Sequence, residues 1–172
     1  MNTGQLPNVV NAGAVNEITT DDFPGWRSFR KPLTPAIPEG RLGARITRVP
    51  PGQSACPFHT HQIDDEIFYV LSGRGVLRYG EKLSEVGAGD CISCPAATGI
   101  AHQIANPFAE DLIYLAVGTN DSREVCTYPD HGTIGIRGLG LSGRLVSVQY
   151  TAADVTPPKI FSLLAGEMGS GA

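Results

Sequence analysis

An all-β fold, an antiparallel barrel or jelly roll, is predicted for this 172-residue chain by three observations. Short runs rich in β-branched and aromatic residues recur along it, Gly, Pro, Asn or Asp separate them, and no long run has helical period. Apolar residues make up 41% and charged residues 17%, enough for a folded core, while 21 Gly and 13 Pro supply the turns that many short strands need. This length suits one core.

Residues 1–38 read as an N-terminal arm, with the short piece Asn8-Val9-Val10-Asn11 and a Pro-rich run from Pro32 to Pro38. Such an arm is ordered only when tied down. A sheet edge, in the same subunit or in a partner, is the expected anchor, and a homodimer is the expected assembly. Trp26 and Phe29 are expected to be packing anchors rather than a binding box.

Residues 39–119 read as the barrel core. Strands are expected at Leu42–Val49, Glu66–Leu71, Gly75–Tyr79, Lys82–Val86, Cys91–Cys94, His102–Ala105 and Leu112–Val117, with Gly75–Val86 folding as a hairpin at Gly80-Glu81. Residues 120–172 read as a C-terminal extension packing on the barrel. It holds a turn at Pro129-Asp130-His131-Gly132, a glycine-rich stretch Gly135–Gly143 and alternation in 144–150 (Leu145, Val146, Val148) that predicts another edge strand. A short helix at Ile160–Ala165 and a frayed Gly-Ser-Gly-Ala end complete it.

The formal net charge of -4, with scattered basic residues, gives no footprint for nucleic acid or an anionic membrane, so a small-molecule partner is expected. No stretch approaches the roughly 20 apolar residues of a membrane span, and Met1–Val10 has no charged region or apolar core, which predicts a cytoplasmic protein. The four cysteines, at 56, 91, 94 and 126, are expected to be reduced thiols. Cys91 and Cys94 form a C-x-x-C pair, but residues three apart on a strand face opposite sides, which predicts barrel-wall thiols rather than a redox couple. His131, in a surface turn, is expected to be solvated.

The chemistry-bearing stretch runs from Gly52 to Gly73. His59 and His61, at i and i+2 on an extended strand, project from one face and can hold one ion between them. Glu66 then opens an apolar strand, and if it points inward so do Phe68 and Val70, an apolar setting in which a cation would satisfy the carboxylate. In the second stretch, Gly89 to Asn106, the lone His102 follows a Gly/Pro-marked turn and can close a coordination sphere from across the barrel.

These two stretches resemble the paired motifs of the cupin superfamily. The first motif, Gly, five residues, His-x-His, three or four residues, Glu, six residues, Gly, matches from His59 to Gly73, with Gly52 one residue too far upstream. The second, Gly, five, Pro, one, Gly, two, His, three, Asn, matches at Gly89, Pro95, Gly99, His102 and Asn106, except that three residues separate Pro95 from Gly99. Both departures lie in loops. The likeness covers about residues 42–118. With Asp64–Gly73 and Tyr128-Pro129-Asp130 it extends to bacterial single-domain cupins of undefined activity. It implies an RmlC-like double-stranded β-helix and one divalent first-row metal ion (Mn, Fe, Ni, Co or Zn) held by His59, His61, Glu66 and His102. Asp65 competes with Glu66 as the carboxylate ligand, but the six-residue step to Gly73 favours Glu66, leaving Asp65 facing away.

Three neutral imidazoles and a carboxylate leave a divalent ion with a local charge of about +1, and an octahedral ion would keep two open positions for a small oxygen ligand. That predicts a metal-dependent enzyme acting on a small oxygen-rich or anionic metabolite, by isomerase, decarboxylase, lyase or dioxygenase chemistry. The alternative is a non-catalytic ligand-binding or sensing module. Since only neutral histidines ligate, metal affinity should drop as pH falls through about 6. No catalytic residue is assigned. Arg45 would clamp a carboxylate if it faced inward with Thr47, and Tyr69 and Tyr79 are equally open, because strand parity is not fixed by sequence.

Overall fold

The computed structural model describes residues 6, 8–34 and 40–147. Among these residues fourteen strands follow in chain order: β1 Ile18–Phe23, β2 Trp26–Pro32, β3 Leu42–Val49, β4 Gln53–Ser54, β5 Thr60–His61, β6 Glu66–Ser72, β7 Arg74–Tyr79, β8 Lys82–Gly87, β9 Cys91–Cys94, β10 His102–Asn106, β11 Leu112–Thr119, β12 Val125–Tyr128, β13 Thr133–Ile136 and β14 Leu141–Arg144. Every pairing is antiparallel, and the only helical pieces among the described residues are single 3₁₀ turns. This is a jelly-roll β-barrel. No helix among the described residues is long and apolar enough to cross a membrane.

One sheet runs β1-β2-β3-β11-β6-β9, a second β4-β10-β7-β8, and a third β14-β13-β12-β5. Period-two patterning decides what each strand buries. On β6, Phe68 and Val70 are buried while Ile67, Tyr69 and Leu71 are exposed; on β11, Leu112, Tyr114 and Ala116 turn inward. These join Val49, Val86, Ile92, Cys94 and Ile104 in one core. Each fully buried large apolar side chain contributes about 1.5–3 kcal/mol, so the barrel interior carries most of the drive to fold.

The seven expected barrel strands appear within two residues of their expected bounds, and the hairpin turns at Gly80-Glu81 with Tyr79 opposite Lys82. The described part of the arm carries two strands. β1 and β2 form a hairpin that pairs with β3, so the arm completes a sheet edge within its own chain. Phe29 packs under the Arg48 guanidinium, 3.9 Å from the ring centroid, and Trp26 meets His131 edge-on. In the extension, the predicted edge strand over 144–150 lies earlier, at Leu141–Arg144. Residues 145–147 form no strand, and 148–150 lie outside the described residues. The reason is the Arg137–Leu139 turn, closed by Gly140 at φ +59, which sends the chain back along β13 before residue 144. The expected helix at Ile160–Ala165 and the frayed end also lie outside the described residues.

Two glycines, Gly73 of the first motif and Gly118 on β11, act by having no side chain. Gly73 has φ +75, and a Cβ there would meet the Asp111 carbonyl oxygen at 2.1 Å. Gly118 stands opposite Glu66, where a Cβ would lie 3.1 Å from Glu66 Cγ, so its absence leaves room for the carboxylate. Asn106, which ends the second motif, is structural: its amide nitrogen donates to the Val49 and Glu110 carbonyls, and its oxygen accepts from the Phe108 amide.

Candidate metal centre

His59 and His102 face each other across an isolated bridge, each backbone amide donating to the other's carbonyl (3.1 and 2.8 Å). That bridge carries His102 to His59 and so to His61 on β5, while the parity of β6 turns Glu66 the same way. The result is convergence on one carboxylate oxygen: Glu66 Oε2 lies 3.1 Å from His102 Nε2, 3.2 Å from His61 Nε2 and 3.8 Å from His59 Nε2. One donor atom from each of the four residues lies within 4.8 Å of the others, a group able to hold a metal ion. Metal–ligand bonds of about 2.0–2.2 Å place opposed donors about 4 Å apart, so small rotamer adjustments suffice.

The far nitrogens of two rings are already engaged. His59 Nδ1 donates to the Pro57 carbonyl at 2.7 Å, and His61 Nδ1 lies 3.2 Å from Glu124 Oε1. A proton held at Nδ1 leaves the Nε2 lone pair free toward the centre. Glu124 is 2% exposed and also accepts the backbone amides of Gln62, Ile63 and Asp64 at 2.7–3.0 Å, which fastens the loop between His61 and Glu66. Asp64, equally buried, accepts from Thr119 Oγ1, the Asp121 amide and Arg137, the last at 2.6 Å.

Burial alone would raise the Glu66 pKa, but hydrogen bonds to His102, His59 and His61 hold it far below the usual carboxylate range. Burial lowers His59, but hydrogen bonds with Cys56 and Glu66 outweigh it and bring the ring up to about 11. His102 is lowered, chiefly by burial.

A cavity of about 550 Å³ opens beside the group, lined by Arg30, Arg45, Glu124, Tyr128, Arg137 and Leu141 among others. Arg45 faces inward on the same parity as the buried Thr47, and its Nη2 lies 3.6 Å from Glu66 Oε1. The Tyr128 ring stacks on His59 with centroids 6.1 Å apart. Thus Arg45 is inside, Tyr69 is outside on the exposed face of β6, and Tyr79 packs partly buried against the core. Asp65 points away as expected and accepts the Ala96 amide.

The remaining sequence candidates are accounted for. All four cysteines are free thiols, with Cys91 exposed and Cys94 buried on opposite sides of β9. His131 is exposed in the 3₁₀ turn Pro129–His131. The two motif departures fall in turns, where Gly52 (φ +72), Ala97 (φ +58) and Gly99 (φ +69) absorb the altered spacing. Sequence reasoning missed Glu124, Arg30 and Arg137. None sits in a motif or an apolar run, and only tertiary pairing brings them to the centre. Tyr128 drew notice as part of a resemblance but not as a wall of the site.

Residues 45–118 match the family model of the cupin domain. An oxalate-binding protein of Thermotoga maritima is 39% identical over 79 residues, covering 46% of this chain and 62% of that protein. The chain spans about six tenths of the length of the curated relatives it matches. Among solved structures, a candidate sugar phosphate isomerase of Acidithiobacillus ferrooxidans has TM-score 0.75 at 24% identity, over 84% of this chain and 98% of that one, a likeness of fold alone. A predicted oxalate decarboxylase of Thermotoga maritima has TM-score 0.57 at 26% identity, over 64% of this chain and 97% of that one.

Proposed function

Starting from a chain with a cupin domain over residues 45–118 and a cupin-type barrel, we propose that it is a metal-dependent enzyme acting on a small oxygen-rich anion. His59, His61, Glu66 and His102 hold one divalent first-row ion. The observation that carries this reading is the convergence of three Nε2 atoms on the Glu66 carboxylate, with Nδ1 of His59 and of His61 tied behind. When bound, the ion supplies Lewis-acid polarisation of a carboxylate or carbonyl oxygen, or a place for oxygen chemistry if it is iron.

The chain's own residues supply the rest. Glu124 keeps His61 in the ligating tautomer. Arg45 lines the cavity near Glu66, and its guanidinium fork matches the geometry of an acidic group on the ligand. Tyr128, on the cavity wall, is the group placed to hold a proton near bound ligand; burial and its hydrogen bond with Cys126 raise its pKa, so the phenol stays protonated at neutral pH. A polar wall with a proton-bearing group favours an enzyme over a passive binder. The oxalate-binding and oxalate decarboxylase relatives make oxalate the first ligand to try.

The test is elemental analysis of untagged protein beside a variant with His59, His61 and His102 all changed to alanine, followed by calorimetric titration with oxalate. Close to one ion per wild-type chain and none in the variant is expected, with oxalate binding only the loaded protein. Two empty proteins after metal is supplied in excess would sink the metal reading. A loaded protein that binds oxalate but turns over no small carboxylate or sugar phosphate would favour the non-catalytic alternative.

A further inference from the structure

We propose that the cavity carries a second anion subsite, built by Arg45 and Arg30, which holds the far acidic group of a two-ended ligand whose near end lies at His59, His61, Glu66 and His102. The inference rests on the metal reading and deepens it by naming the ligand class: a small molecule with an oxygen-donor end for the ion and a second oxyanion, phosphate or carboxylate.

Four observations support it. First, the cavity is too large for the metal end alone. About 550 Å³ falls in the range of roughly 300–1,000 Å³ that accommodates drug-sized ligands, whereas oxalate has only six non-hydrogen atoms. Second, Arg45 is uncommitted. It makes no hydrogen bond among the described residues, its Nε is buried without a partner, and its one ionic contact is the 3.6 Å approach to Glu66. A guanidinium placed there for structure would have its donors satisfied.

Third, Arg30 stands beside it on the same inner face. Arg30 on β2 pairs with Thr47 on β3, two places along from Arg45, and its Nε and Nη2 are anchored to Ser28 Oγ (3.2 Å) and the Ala55 carbonyl (2.6 Å). That anchoring fixes the side chain on the wall it shares with Arg45. Thr47, paired with Arg30 and 1% exposed, lies behind this wall, and its Oγ1 has no partner among the described residues. Fourth, the third arginine of the cavity is already neutralised: Arg137 is bound to Asp64 at 2.6 Å and to the Asp121 carbonyl at 2.8 Å. The positive charge not held in a close ion pair therefore lies at Arg45 and Arg30, where a second anionic group would meet the open Arg45 fork and the donors that Arg30 has left beyond Ser28 and Ala55.

Two ligand pairs test this, each sharing a 2-hydroxy-acid end and differing in one acidic group: glycerate against 3-phosphoglycerate, and lactate against malate. Affinities are measured by calorimetry on manganese-loaded protein at one fixed ionic strength, since exposed charge contacts are screened by salt. The doubly acidic member of at least one pair should bind about tenfold tighter or more, and the pair that discriminates identifies phosphate or carboxylate. Arg45→Met and Arg30→Met should each cut that ratio to within about twofold, while Arg45→Lys retains part of it. Metal content measured on every variant guards against misfolding, and the lysine form tests the same position should the methionine form not fold. Equal binding within both pairs overturns the subsite, as does an Arg45→Lys or Arg45→Met protein that weakens glycerate and 3-phosphoglycerate alike. A wild type that takes up no metal overturns the metal reading and the two-ended geometry together; metal uptake and oxalate binding without discrimination overturn the subsite alone.

Discussion

Glu124 Oε1 lies 3.2 Å from His61 Nδ1, so a carboxylate 63 residues along the chain sets which nitrogen of the ring faces the centre. The same carboxylate takes three consecutive backbone amides, at Gln62, Ile63 and Asp64. Losing it removes both a tautomer lock and the acceptor for a loop. Glu124→Ala should weaken metal binding roughly 10–100-fold, measured by competition with a chromogenic chelator. It should also destabilise the metal-free protein by about 1–3 kcal/mol for the amides left without a partner, read by urea unfolding. Glu124→Gln, which keeps an acceptor oxygen, should recover most of the stability. Unchanged metal affinity in the alanine variant would remove Glu124 from the site.

The pH dependence follows from His59. Its pKa is raised to about 11, so near neutral pH the metal-free ring carries a proton that an ion must displace. Because the protonated form competes with metal, affinity should rise with pH by about tenfold per unit between pH 7 and 9, and proton release on binding should approach one per ion in calorimetry across buffers of different ionisation enthalpy. The dependence thus extends well above the pH of about 6 expected from unperturbed imidazoles. A flat profile from pH 7 to 9 would show that His59 is neutral before metal arrives.

Gly73→Ala should be severely destabilising. The backbone there has φ +75 and the new Cβ would sit 2.1 Å from the Asp111 carbonyl oxygen. The conformation alone costs a non-glycine residue about 1–3 kcal/mol, and relief of the contact requires moving the turn between β6 and β7. A loss of more than about 3 kcal/mol in urea unfolding is expected.

Arg137→Ala should loosen the C-terminal hairpin without opening the barrel. Arg137 ties Asp64, beside the histidine pair, to the extension. Half-exposed on its own side, the pair is worth less than a fully buried one, so a cost of about 1–3 kcal/mol is expected. Hydrogen exchange should speed up at the β12–β14 amides and stay slow at β3, β6 and β11. Uniform acceleration would mean that the extension and the barrel unfold as one unit.

The C-x-x-C pair should behave as two unrelated thiols. Cys91 is exposed while Cys94 is 2% exposed and has its pKa pushed up to about 12, chiefly by burial. A colourless-to-yellow disulfide reagent should label Cys91 within minutes in the native protein and Cys94 only after unfolding.

What the sequence by itself determined is whatever depends on residues close along the chain. Alternation on β6 turned Phe68 and Val70 inward with Glu66, the i and i+2 spacing put His59 and His61 on one face, and Gly80-Glu81 closed the β7–β8 hairpin. These are rules of period two and of turn conformation, and they need no partner strand. Tertiary structure decided the rest. Arg45 had no readable side until β3 was paired with β2 and β11, which put Thr47 inside and Arg45 with it. The arm gave no strand signal because Ile18–Phe23 and Trp26–Pro32 owe their extended form to pairing at the edge of β3 rather than to an alternating pattern of their own. Arg30, Glu124 and Arg137 reach the centre only through contacts 25 to 73 residues away in sequence. No local pattern marks such residues, because what places a charged side chain against a metal group is the closure of the barrel, which brings distant strands to one cavity and leaves there the charges that the interior can balance.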